Sequence, residues 1–130
     1  MTIQALPDAF SVCKVADYTL VDRKAVFCFS GQTDAERSLV CRTQDVPDNV
    51  TAQEDGWRAM RITGTLDFSL IGVLAGISAV LAENGIGIFV LSTYDTDYIL
   101  TKQETYARAL QLLAQAGYRI IAVSYTHLRA

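Results

Sequence analysis

From residue 57 onward, apolar and polar positions follow two clear periods. Trp57–Gly64, WRAMRITG, sets Arg58, Met60 and Ile62 on one side and Trp57, Ala59, Arg61 and Thr63 on the other. That is the alternation of a half-buried strand. Gly64-Thr65-Leu66-Asp67 then turns the chain, and Asp67 or Ser69 can cap a helix over Ser69–Glu83. Within it Leu70, Val73, Leu74, Ile77, Val80 and Leu81 make one apolar stripe, with Gly72 and Gly76 beside it, and Asn84-Gly85 is a stop signal. Gly87–Thr93, preceded by Ile86, reads as a strand apolar on both faces, which calls for cover on both sides. Tyr94–Asp97 is a tight polar turn and Tyr98–Thr101 the returning strand. Thr101 and Glu104 have the spacing of a capping box for a helix to about Ala116, with Tyr106, Leu110, Leu113 and Ala114 facing inward. Gly117 ends that helix, and Tyr118–Val123 is a closing strand.

The predicted order is β-α-β-β-α-β, an α+β ferredoxin-like unit with two helices on one face of a four-stranded antiparallel sheet. The first part of the chain reads differently. Phe10–Val15, Ala25–Ser30 and Ser38–Arg42 look like strands, the last two as a hairpin, with no convincing helix. The polar run Gln44–Gly56, holding Pro47 and Gly56, is the predicted linker.

Composition narrows the function. In 130 residues, 51% are hydrophobic and 19% charged, which suits one folded domain or two very small ones. The net charge of −3 comes without any basic stripe, so neither nucleic acid nor an anionic membrane is an expected partner. Phe68–Ala82, the longest uncharged stretch, falls short of the roughly 20 apolar residues of a membrane span. Met1–Phe10 carries Asp8 and no basic residue, unlike a secretory signal. Cys13, Cys28 and Cys41 lack C-x-x-C spacing and read as buried reduced thiols of a cytoplasmic protein.

Catalysis finds little support. The sole histidine, His127, excludes a Ser-His-Asp or Cys-His arrangement away from the tail. Neither a phosphate-binding glycine loop nor a zinc-ligand pattern occurs, so no cofactor and no metal is expected. Asp95 with Asp97 is a compact carboxylate pair, but it sits on a turn without a partner base.

Two blocks, LDFSLIGVLA (Leu66–Ala75) and STYDTDYIL (Ser92–Leu100), carry a resemblance. Within Gly56–Leu100 the chain resembles bacterial ACT-domain proteins of the CASTOR-like class, related to the regulatory domains of aspartate kinase. The likeness extends more weakly to Phe10 and to about Ile120. It implies a ligand-sensing ACT module over 56–123, preceded by a degenerate, mostly β ACT-like module over 1–55. It also implies a free amino acid bound at a module interface. The end of the chain, SYTHLRA over 124–130, departs from this pattern and resembles a translated sequencing-adapter tail, so it reads as non-native.

The two blocks carry groups suited to an amino acid. The ligand carboxylate is served by the unpaired N–H groups at a helix start, near Asp67, Ser69, Leu70, Ile71, Gly72, Val73 and Leu74. Its ammonium needs acceptors, offered by Asp95 or Asp97 and by the backbone carbonyls of Ser92, Thr93 and Tyr94. Each has a plain competing role: Asp67 as a helix cap, Gly72 and Gly76 as packing glycines, Asp95 and Asp97 as turn residues, Ser92 and Thr93 as strand ends. The expectation is an amino-acid-binding regulatory protein without catalysis, a homodimer formed through open sheet edges, serving an effector absent from this sequence. The alternatives are a ligand-free dimerisation module or a small enzyme on the same fold.

Overall fold

The computed structural model describes residues 1–63 and 72–123. Among the described residues the elements follow in order: β1 (Thr2–Val15), β2 (Phe29–Gln32), β3 (Arg37–Arg42), a 3-10 turn (Thr43–Asp45), β4 (Val50–Thr63), α1 (Val73–Glu83), β5 (Phe89–Ser92), β6 (Asp97–Lys102), α2 (Gln103–Gln115) and β7 (Arg119–Ala122). The chain divides into two compact units, Asp8–Trp57 and Met1–Pro7 with Arg58–Ala130. The long strands β1 and β4 each contribute to both. No helix among the described residues is long and apolar enough to cross a membrane.

In the unit that holds both helices the strand order is β7-β1-β4-β6-β5. The expected succession β-α-β-β-α-β is present, but the expected four-stranded antiparallel sheet is not closed as predicted. The closing strand β7 pairs β1 in parallel, Ile3 opposite Ile120 and Ala5 opposite Ala122. The N-terminal residues thus form a fifth strand between β4 and β7. Pro7 and Asp8 break the alternation, so the sequence pattern shows a strand only over Phe10–Val15.

Both helices cover one face of this sheet. Ile3, Met60, Ile62 and Ile99 from the strands meet Ile77 and Leu81 of α1 and Tyr106, Ala109 and Leu113 of α2. The predicted α1 stripe therefore holds, with Val73, Leu74 and Val80 at its half-buried margin; Leu70 lies outside the described residues. Fully burying such aliphatic side chains contributes about 1.5–3 kcal/mol each. In α2, Tyr106 and Leu113 face inward as expected, whereas Ala114 is exposed and Ala109 takes the inner position. Tyr106 is tied across the core: its hydroxyl donates to the Ala59 carbonyl at 2.6 Å. The Arg58 guanidinium lies 4.6 Å over its ring and donates from Nη2 to the Leu6 carbonyl at 3.1 Å. Burial pushes the Tyr106 phenol up to about 12.

Two local predictions fail for identifiable reasons. The capping box at α2 does not form: Lys102 is the N-cap with no side-chain bond, and Thr101 is fully buried within β6. An inward-facing strand residue has no access to the helix amides. The predicted cover on both faces of β5 is also incomplete. Ile88 and Val90 pack against the core, but Phe89, Val90 and Leu91 are all only half-buried, because β5 ends the strand order.

The other unit, Asp8–Trp57, is all β, with strand order β2-β3-β1-β4. The predicted hairpin is present, shifted along the chain: β2 begins at Phe29 and pairs antiparallel with β3, Ser30 opposite Leu39. β3 also pairs β1, Val12 opposite Val40. The expected linker Gln44–Gly56 is mostly structured. It holds part of the 3-10 turn, clasped by Arg42 Nε donating to Asp45 Oδ2 at 2.8 Å, and the first half of β4. Strand pairing uses backbone groups, so Thr51–Asp55 join a strand although every one of them is exposed. One core cluster of the unit is Cys13, Val15, Leu39 and Cys41, with Tyr18, Val21, Cys28, Val46 and Val50 packed against it. All three cysteines are free thiols; Cys13 and Cys41 are buried and Cys28 is half-buried.

Candidate functional site

The β5–β6 hairpin turn gathers most of the described site residues. Ser92 and Asp97 are partners in the strand register. The Ser92 hydroxyl donates to Asp97 Oδ1 at 2.6 Å. Between them, Thr93 N–H donates to the Thr96 carbonyl at 2.8 Å, and the Thr93 hydroxyl donates to the same oxygen at 3.1 Å. Tyr94 and Asp95 form the exposed tip. The turn is therefore closed by its own side chains, with Ser92, Thr93 and Asp97 fixed and Tyr94 and Asp95 presented to solvent.

Thr96 anchors this turn. Its hydroxyl donates to the Ile62 carbonyl at 2.6 Å, holding the hairpin at the end of β4. Sequence reading passed over Thr96 because a threonine in a polar turn carries no signal of a bond to a distant strand. From that same end of β4 the chain leads on to α1.

The described part of α1 begins at Val73, and the predicted start at Ser69 lies outside the described residues. Gly72 is the N-cap, in the left-handed region with φ 94° and ψ −1°, and its carbonyl accepts the Gly76 amide at 2.8 Å. Only glycine adopts this conformation without strain. The first-turn amides of a helix lack intrahelical acceptors, so the N–H groups following Gly72 are of the kind that binds an anion. The half-buried side chains of Val73 and Leu74 pack against the core. Gly76 is approached closely, as a packing glycine would be: a Cβ there would stand 3.0 Å from the Tyr118 hydroxyl. Asp67, Ser69, Leu70 and Ile71 lie outside the described residues, as does the tail from Ser124.

Among the described residues, no group of three or more His, Cys, Asp or Glu side chains is arranged to hold a metal ion. In the all-β unit the buried Ser11 hydroxyl lies 2.9 Å from Thr43 Oγ1 and donates to Asp55 Oδ1 at 2.5 Å. That bond, with a second from Gln53 Nε2, holds the Asp55 carboxyl below its usual range. The Ser11–Asp55 bond joins β1 to β4, so the cluster reads as a clasp between them.

Residues 53–115 match the family model of the ACT domain. The match runs from near the start of β4 through α2 and includes both the α1 start and the hairpin turn. The strands β1 and β7 lie outside it. Among solved structures, the chain is similar to protein Atu0741 from Agobacterium tumefaciens, with 28% identity and a TM-score of 0.84, covering 95% of this chain and 93% of that one. It is also similar to the ligand-free regulatory subunit of aspartate kinase from Thermus thermophilus, at 11% identity and TM-score 0.65, covering 90% and 97%. A structure of aspartokinase alpha and beta subunits aligns at 16% identity and TM-score 0.62, covering 89% and 97%. The likeness to the kinase subunits is one of fold. Among curated proteins, none matches the chain.

Proposed function

We propose that this protein is an ACT-type regulatory module of the CASTOR-like class that binds a free amino acid and has no catalysis of its own. The observation that carries this reading is the ACT match over residues 53–115 combined with a hairpin turn pinned to the end of β4 by Thr96. On this reading Asp8–Trp57 is a degenerate first module, and the first-turn amides after Gly72 receive the ligand carboxylate. The free oxygen lone pairs of Asp97, together with Asp95, receive its ammonium. Two such modules pair as a homodimer through a sheet edge, for which the terminal strand β5 is suited. The setting is cytoplasmic, in keeping with three free thiols. A ligand signals here only through different affinity for two module arrangements.

A thermal-shift screen of the common proteinogenic amino acids tests the reading. At least one raises the melting temperature at millimolar concentration; no shift from any of them refutes amino-acid sensing and leaves the dimerisation module. Asp97→Ala weakens binding by about tenfold or more while the fold stays nearly intact. A large loss of stability with unchanged affinity assigns Asp97 to the turn alone.

A further inference from the structure

All three cysteines fall in the Asp8–Trp57 unit and meet in one apolar cluster. Their strand positions are not equivalent. The β2–β3 register pairs Phe29 with Val40 and Ser30 with Leu39. Cys28 immediately precedes β2, outside the paired residues, and the same register carried on by one residue would set it opposite Cys41. Opposed residues on antiparallel neighbours have Cα atoms about 4.5–5.5 Å apart, inside the roughly 4.4–6.8 Å that a disulfide spans. On the other side of β3, Cys41 is opposite Ser11 and Cys13 is opposite Leu39. Cys13 is therefore only a diagonal neighbour of Cys41, at a separation of about 7–8 Å, which a disulfide cannot bridge without backbone movement.

We propose that Cys28 and Cys41 are an oxidisable cross-strand pair, closed into a disulfide by a small disulfide oxidant such as oxidised glutathione, while Cys13 stays a thiol. Cys28, the more exposed of the two, reacts first. Its thiolate attacks one sulfur of the oxidant, a mixed disulfide forms, and one glutathione thiolate leaves and takes up a proton. The Cys41 thiolate then attacks the Cys28 sulfur and displaces the second glutathione. Two protein thiols are oxidised, one glutathione disulfide is reduced, and the two cysteine protons end on the two glutathione thiols.

The closed bond ties the segment entering β2 to β3. That segment includes Phe27, held at a positive φ of 60° with its ring edge-on to Phe10 at 5.8 Å. Burial raises the Cys28 thiol and pushes Cys41 up to about 12, so both are protonated at neutral pH and the pair resists casual oxidation. Closure accelerates with pH, since only thiolates attack.

The test incubates the full chain with oxidised glutathione at about pH 7 and about pH 9, then quenches with an alkylating agent and maps non-reduced peptides. The expected product has lost two hydrogens, links the peptides of Cys28 and Cys41, and carries the alkyl label at Cys13. Its formation is faster at the higher pH by roughly tenfold per unit below the thiol pKa. Cys13→Ser retains the link, and Cys28→Ser, at a half-buried position that tolerates serine, abolishes it. A link involving Cys13, a glutathione adduct at Cys28 that never closes, or three alkylated cysteines after prolonged exposure at the higher pH overturns the proposal.

Discussion

Two glycines four residues apart in and before α1 respond to alanine by different physics, and Gly76 is the more informative. It lies inside the helix, where alanine is favoured over glycine by about 0.8–1.0 kcal/mol. Opposing this, the new Cβ would stand 3.0 Å from the Tyr118 hydroxyl, tighter than ordinary van der Waals contact. The obstructing atom is the tip of a side chain that is half-buried and packed on the core, so it has limited room to yield. The two effects nearly offset, and Gly76→Ala alone changes stability by about 0.5 kcal/mol or less in either direction. Removing the obstruction separates them: in a Tyr118→Phe background, Gly76→Ala stabilises by about 0.8–1.0 kcal/mol, the full helix preference. Urea unfolding of the four proteins in this double-mutant cycle measures the coupling directly. A coupling energy of zero, or a loss beyond about 2 kcal/mol in both backgrounds, would show that the Tyr118 hydroxyl does not limit this position. It would also refute the packing of β7's entry against α1.

Further outcomes follow from other contacts. Gly72→Ala destabilises by about 1–2 kcal/mol through backbone strain alone, since its φ is 94° and no atom lies within 4 Å of the added Cβ; urea midpoints report it. Tyr106→Phe removes the donor to the Ala59 carbonyl and costs about 1–3 kcal/mol, again read from urea unfolding. Thr96→Val frees the hairpin turn from Ile62 at a cost of about 1 kcal/mol and weakens any amino-acid ligand found by thermal shift more than it weakens the fold. Asp55 has its pKa lowered in the folded state by Ser11 and Gln53, so its contribution is present above the ordinary carboxylate pKa and is lost as pH falls through the folded value. Acid titration of the unfolding midpoint shows a shallower decline in Asp55→Asn; identical curves would remove this clasp from the account.

The hairpin turn was legible because turns depend on neighbouring residues. Ser92 and Asp97 meet across a tight turn that their own residue types favour. Gly72 as N-cap was not legible, because glycine beside an apolar stripe reads equally well as a packing residue inside the helix. Thr96 was not legible, because its partner is the carbonyl of Ile62, brought near only by strand pairing. The failed capping box at Thr101 has the same origin: local spacing was right, but burial in β6 decided where the side chain points.

The amino-acid pattern alone determined the succession of elements from Trp57 to Val123, the α1 stripe and the hairpins, since each is encoded by period and turn chemistry within a short window. Tertiary structure decided the rest. It placed Thr2–Ala5 between β4 and β7, made a strand of the polar stretch Val50–Asp55, and chose Ala109 over Ala114 for the core. Those outcomes turn on backbone hydrogen bonds and contacts between residues far apart in the chain, which exposed or weakly patterned side chains do not announce.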